Sequence, residues 1–208
     1  MGKALVYDET APRELPLPDM TYEEFLVHPD VPERAEWIDG RAIALGTVSQ
    51  IHNDAVQFLI RLLGSFLEAG AQGRQFHDPF NMKLEPGLPG RCPDITVVLA
   101  ANYGRLRPNF LEGPADIAVE VISAGTGAVD RGAKFDEYEA AGVTEYWLID
   151  PIREVAEFYR LEGRGRYELV TTPDDVFRSE VLPGFFLRVE WLWSIPKVRD
   201  AEAALGLR

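Results

Sequence analysis

The sequence predicts an α/β (α+β) chain, a mixed β-sheet core flanked by helices with additional antiparallel hairpins. Three observations carry that expectation. Residues 115–150 run strand, helix, strand, the size and pattern of a βαβ crossover, so at least two strands are parallel. The strand segments in the middle of the chain are apolar almost throughout, as strands covered on both faces are. From residue 153 onward, short segments read as antiparallel hairpins added to that core.

In chain order, residues 1–20 carry Pro12, Pro16 and Pro18 without periodicity and predict an extended arm ahead of a single domain over 21–208. Thr21 offers a capping hydroxyl to a short helix that begins at Tyr22-Glu23-Glu24-Phe25-Leu26 and ends near His28-Pro29. Asp39-Gly40, set between apolar stretches, marks a hairpin. Ser49 caps the longest helix, about 49–69, on which Ile51, Ala55, Phe58, Leu59, Leu62, Leu63, Phe66 and Leu67 recur at helical spacing; Gly70 and Gly73 end it. Strands follow at 80–84, 94–99 and 115–122, then a helix over 128–141 closed by Gly142, then a strand at 145–150. Residues 155–159, 167–170 and 185–189 supply the later hairpin strands.

Composition narrows the function. The 208 residues include 21 Lys+Arg against 34 Asp+Glu, a net charge of −13, which disfavours a broad non-specific nucleic-acid surface. Any nucleic-acid function then rests on local basic patches or on bound cations. No apolar run approaches the roughly 20 residues that span a bilayer, and the N-terminus lacks a signal-like apolar core, so a cytoplasmic, soluble protein with no membrane partner is expected. The single cysteine, Cys92, with three histidines excludes an internal disulfide and a thiolate-rich zinc site. A buried, inert Cys92 is the simpler reading than a thiol nucleophile.

Two carboxylates sit in apolar company. Glu120 lies inside Ala118-Val119-Glu120-Val121-Ile122, and Asp94 opens the run Ile95-Thr96-Val97-Val98-Leu99. An ionised carboxylate in a buried sheet costs several kcal/mol unless it is paired, hydrogen-bonded or metal-bound. If the strands are neighbours with both acids on one face, they form a hard-oxygen site for Mg²⁺ or Mn²⁺; otherwise each pairs with an arginine or caps a loop. Only four of the cations are lysines, and Lys134 shares a helix face with Tyr138 and Arg131, either as a solvated face or as a charge beside the metal.

These residues resemble a known family. Trp37-Ile38-Asp39-Gly40, Cys92-Pro93-Asp94-Ile95, Val119-Glu120-Val121-Ile122-Ser123, Asp130-Arg131-Gly132-Ala133-Lys134-Phe135-Asp136-Glu137-Tyr138 and Gly142-Val143-Thr144-Glu145-Tyr146-Trp147-Leu148-Ile149-Asp150-Pro151 look like the Uma2 (DUF820) family of the PD-(D/E)XK restriction-endonuclease-like superfamily. The resemblance covers roughly residues 20–170. It implies a mixed sheet flanked by helices and an Mg²⁺- or Mn²⁺-dependent endonuclease acting on nucleic acid, above all DNA. It implies further that Asp94 and Glu120 hold the metal, that Lys134 orients the water, and that Glu36 is an early accessory acid. Ile122 stands where the superfamily pattern has lysine, and Lys134 on the following helix takes that role. Two sites for a double-strand cut imply a homodimer.

Other residues carry weaker signals. His52 on the long helix and Tyr138 are accessory candidates, while Ser123 and Asp130 border the site and shape the turn. Arg105 and Arg107 in one acid-free loop, and Arg164 and Arg166 in another, are candidate phosphate grips. Loss of the lysine at position 122 also fits a catalytically degenerate fold that binds nucleic acid or protein, and a hydrolase of small phosphate esters would differ only in cleft size. Geometry separates the first two: an enzyme needs Asp94 and Glu120 within about 4–6 Å and Lys134 at the same cleft.

Overall fold

The computed structural model describes residues 11–70, 73–85, 87–123 and 125–207. Its elements are β1 (Arg13–Glu14), α1 (Tyr22–Phe25), β2 (Ala35–Ile38), β3 (Arg41–Ala44), α2 (Gln50–Glu68), β4 (Gly73–His77) and β5 (Asn81–Lys83). There follow β6 (Gly90–Arg91), β7 (Ile95–Leu99), β8 (Phe110–Glu112), β9 (Ile117–Val121), α3 (Gly127–Asp130) and α4 (Ala133–Ala141). The chain closes with β10 (Glu145–Asp150), β11 (Val155–Glu162), β12 (Arg166–Leu169), β13 (Val176–Arg178), β14 (Phe186–Arg188) and α5 (Val198–Ala204).

Among the described residues the central sheet has the order β12-β11-β10-β9-β7-β4. β9 and β10 are parallel, joined by the expected crossover, and every other neighbouring pair is antiparallel. Side chains alternate across this sheet. Ile117, Val119 and Val121 pack with Trp147 and Ile149 under the apolar face of α2. Ala118 and Ile122 turn the other way, toward Tyr138 and Ala141 of α4. Both faces are thus covered, which is why β9 and β10 read as largely apolar runs, with Glu120 the exception inside β9 and acids at the ends of β10. A second sheet, β1-β3-β2-β6-β5-β8, lends Met82, Leu84 and Leu111 to the α4-side core.

Local signals explain the framework. Thr21 accepts from Glu24 N–H while the Glu24 carboxylate accepts from Thr21 N–H, a complete capping box on the one-turn α1. Ser49 accepts from His52 N–H and starts α2. Asp39 and Gly40 both hold positive φ, 49° and 86°, as a two-residue hairpin turn between β2 and β3 requires. Replacing Gly40 by Ala is expected to cost about 1–2 kcal/mol, measured as a lower urea midpoint at unchanged slope.

Three expectations are corrected. The helix predicted over 128–141 is two helices, α3 and α4, broken at Gly132, whose φ/ψ of −115°/−98° is not helical. A β-carbon at Gly132 would lie 2.8 Å from the Ala128 carbonyl oxygen, so the break depends on glycine. Because of the break Arg131 leaves the face of Lys134 and Tyr138; it pairs with Glu157 at 3.0 Å and Asp150 at 3.4 Å. Gly73 does not end α2 but opens β4, the sheet's edge strand. Of the predicted arm, residues 1–10 lie outside the described residues, and β1 within the rest pairs with β3. No helix among the described residues is long and apolar enough to cross a membrane.

Candidate active site

The antiparallel register of β7 and β9 pairs Ile95 with Val119, which sets Asp94, one residue earlier, opposite Glu120. Both acids line one cleft together with His52, Lys134 and Asp130, and the cleft holds about 40 Å³, room for a water or a small ion. Asp94 is fixed at both oxygens: Oδ2 accepts from Val121 N–H at 2.7 Å, and Oδ1 lies 3.2 Å from His52 Nε2. His52 reaches it from the capped first turn of α2.

Glu120 is only 4% exposed. Its Oε1 accepts from the Tyr138 hydroxyl at 2.7 Å and lies 3.0 Å from Lys134 Nζ. Neither group engages Oε2. Lys134, in the first turn of α4, also stands 3.2 Å from Asp130 Oδ1 and 3.4 Å from Glu36 Oε1. The solvated-face reading of Lys134 is therefore wrong; its ammonium is enclosed by three carboxylates. Asp130 and Lys134 keep the i,i+4 relation across the break at Gly132, and both line the cleft.

A second layer fixes the first. Arg91 of β6, buried between the sheets, donates through Nη1 to Glu36 at 2.7 Å and through Nε and Nη2 to Glu137 at 2.6 and 2.7 Å. Glu36 Oε1 further accepts from Cys92 N–H at 3.3 Å. Arg91, Glu137 and Asp130 thus belong to the site, although only Asp130 carried a sequence signal. Arg91 stands three residues before Asp94, but β6 and β7 belong to different sheets, so spacing alone gave no face to assign it.

Counting charge explains the electrostatics. Burial pushes the Glu120 carboxyl up; Lys134 draws it down, and Asp130, Asp94 and Glu36 push it up again, leaving it well above the usual carboxylate range. Burial disfavours the Lys134 ammonium, yet Glu120, Glu36 and Asp130 outweigh that and keep it charged. For Glu36, burial is overcome by Lys134 and Arg91, and its carboxyl falls below the ordinary value. One ammonium therefore faces more carboxylate than it neutralises. Burial, then Asp78 and Glu36, push the Cys92 thiol well up, in keeping with an inert cysteine.

The donor set fits a small hard cation. Among the described residues no three or more His, Cys, Asp or Glu side chains are grouped to hold a metal by themselves. That argues against a closed cage. Mg²⁺ commonly takes one or two carboxylates and keeps several waters. Asp94 and Glu120 would supply such a pair, and the excess of carboxylate over ammonium in the cleft calls for a cation.

The Uma2 family model, described as "Putative restriction endonuclease", matches residues 22–190. The chain belongs to the Uma2 family. A solved structure of a "putative nuclease belonging to DUF820" from Anabaena variabilis ATCC 29413 has the same fold, with a TM-score of 0.70 at 20% identity over 84% of this chain and 98% of that one. A search of curated proteins finds no match. In this structure Asp94, Glu120, Lys134, Glu36, His52 and Tyr138 converge at one end of the β7–β9 pair.

The four arginines named as phosphate grips lie elsewhere. Arg105 and Arg107 follow the far end of β7 from Asp94; Arg105 donates to the Pro114 carbonyl at 2.8 Å, and Arg107 pairs with Glu112. Arg166 on edge strand β12 pairs with Glu139 at 2.5 Å, and Arg164 is exposed in the turn before it. None lines the cleft, and neither patch is free of acids: one holds Glu112, the other Glu139. The cation at the cleft mouth is instead Arg34, which pairs with Asp78 and donates to the Gly46 carbonyl at 2.7 Å.

Proposed function

We propose that this Uma2 protein is a divalent-metal-dependent endonuclease that hydrolyses phosphodiester bonds of DNA, with Asp94 and Glu120 holding Mg²⁺ or Mn²⁺. The convergence of Asp94, Glu120 and Lys134 on one small cleft is the observation that carries this reading. A bound cation of this kind polarises a phosphoryl oxygen and lowers the pKa of a water. The chain supplies the rest. Val121 N–H and His52 fix the Asp94 carboxylate, and Tyr138 fixes Glu120 through Oε1, leaving Oε2 to face a ligand. Lys134 stays protonated among its carboxylates, so it serves as a donor and a positive charge for the developing phosphate oxyanion rather than as a base. Glu36 and Arg91 act through Lys134 and hold it in place.

The raised Glu120 carboxyl gives this reading a pH signature. Metal must displace a proton there, so affinity for Mn²⁺ is expected to rise with pH and to release protons on binding. Calorimetric titration at several pH values, in buffers of differing ionisation enthalpy, reads both quantities. Affinity independent of pH with no proton release would exclude Glu120 as a ligand. Cleavage of single-stranded and plasmid DNA in Mg²⁺ and Mn²⁺, abolished by chelation, tests the activity itself.

A further inference from the structure

A groove of about 270 Å³ runs from the cleft between α2 and the turn after β4. It shares Arg34, Val48, His52, Asp78 and Asp94 with the cleft, so the two form one continuous channel. Its size lies just below the roughly 300 Å³ at which pockets for small organic molecules begin. One monomer unit fits such a space; a duplex does not.

The walls combine two chemistries. Val56 and Ile60, one helical turn apart on α2, form an apolar side, while Asn53 and Gln57, also one turn apart, add two amides. Neither amide side chain has a protein partner among the described residues, and each offers a donor and an acceptor. His77 closes the opposite side; its Nδ1 donates to the Asp78 carbonyl at 2.8 Å, which leaves Nε2 as an acceptor in the neutral ring. At the junction with the cleft, Arg34 uses Nε and Nη1 on Asp78 and Gly46, while Nη2 has no protein acceptor among the described residues. Buried His52 Nδ1 is likewise without a partner.

We infer that this groove is a nucleotide subsite: it takes the unstacked base next to the scissile phosphate, with Asn53 and Gln57 on the base edge and Arg34 on the backbone phosphate. The inference rests on the nuclease reading, which supplies the scissile phosphate. Apolar walls accept the face of a base, amides pair with its edge, and a guanidinium meets the phosphate between groove and cleft. The substrate is accordingly single-stranded, or opened, at the cut.

The test separates the two claims. The four 5′-deoxynucleoside monophosphates contain no phosphodiester, so saturation-transfer NMR with them reads the groove apart from the reaction. Base protons of at least one nucleotide are expected to saturate on the wild-type protein. Binding should weaken by at least about tenfold in the Asn53→Ala/Gln57→Ala protein, which loses both amide contacts. Both replacements favour helix and sit on an exposed face, so the fold should be retained. In cleavage assays, an abasic residue beside the cut should slow the wild-type protein about tenfold and leave the double variant unaffected. Base protons no more saturated than the protons of deoxyribose 5-phosphate, or equal binding by both proteins, overturns the subsite. Nucleotide binding through Asn53 and Gln57 without DNA cleavage retains the subsite and removes the nuclease reading. Cleavage indifferent to the abasic residue does the reverse.

Discussion

Replacing Glu120 by Gln is expected to abolish metal-dependent cleavage while making the metal-free protein more stable. The isosteric amide keeps the shape of the side chain and removes a charge that the cleft neutralises poorly. Loss of a residue that merely supports a metal ligand costs about 10–100-fold in affinity or activity, so loss of a ligand should exceed roughly 10²-fold. The stability effect has a defined sign. Glu120 titrates higher in the folded than in the unfolded chain, so its contribution is fully present below the ordinary value of 4.5 and is lost as pH rises toward the folded value. Wild type and Glu120→Gln should therefore melt together in acid and diverge as pH rises, the variant melting higher. Mg²⁺ should raise the melting temperature of the wild type alone.

Replacing Lys134 by Met is expected to do the opposite to stability and the same to activity. It leaves Glu120, Asp130 and Glu36 facing one another without the ammonium that lies 3.0–3.4 Å from each. Breaking a buried ion pair from one side typically costs about 3–5 kcal/mol. The cost should be largest at high pH and shrink on acidification, as the orphaned carboxylates take up protons. Adding Glu120→Gln should recover part of it, because the two changes act on one contact and are not additive. Equal losses for Lys134→Met at all pH values, measured by urea unfolding, would place the lysine outside this network.

The fold was legible where one element carried its own periodicity. Ser49 and the apolar stripe of α2, Asp39-Gly40, and the strand–helix–strand run over 115–150 each correspond to observed elements. What failed was punctuation by glycine. Gly132 sits inside a run of good helix formers, and its role depends on the approach of the Ala128 carbonyl, a contact that no local pattern encodes. That one break moved Arg131 off the face of Lys134, while Asp130 kept its i,i+4 place beside it. Asp94, Glu120 and Lys134 stood out because each is a charge in unsuitable company, and burial then requires partners. Arg91 and Arg34 were invisible for the converse reason. An arginine in a polar stretch looks solvated, and only the meeting of β6 with β2, or of residue 34 with the 45–48 loop, turns it inward. The arginine pairs at 105/107 and 164/166 looked like grips because their acidic partners, Glu112 and Glu139, are distant in sequence or on another element.

The most direct measurement is a cleavage time course on single-stranded DNA in Mn²⁺, with wild type and Glu120→Gln purified in parallel. Cleavage by the wild type that stops on chelation and is absent from the variant is the predicted result. Equal cleavage by both proteins, or no cleavage by the wild type with any divalent cation, would contradict the assignment of Asp94, Glu120 and Lys134 as a metal-dependent nuclease centre.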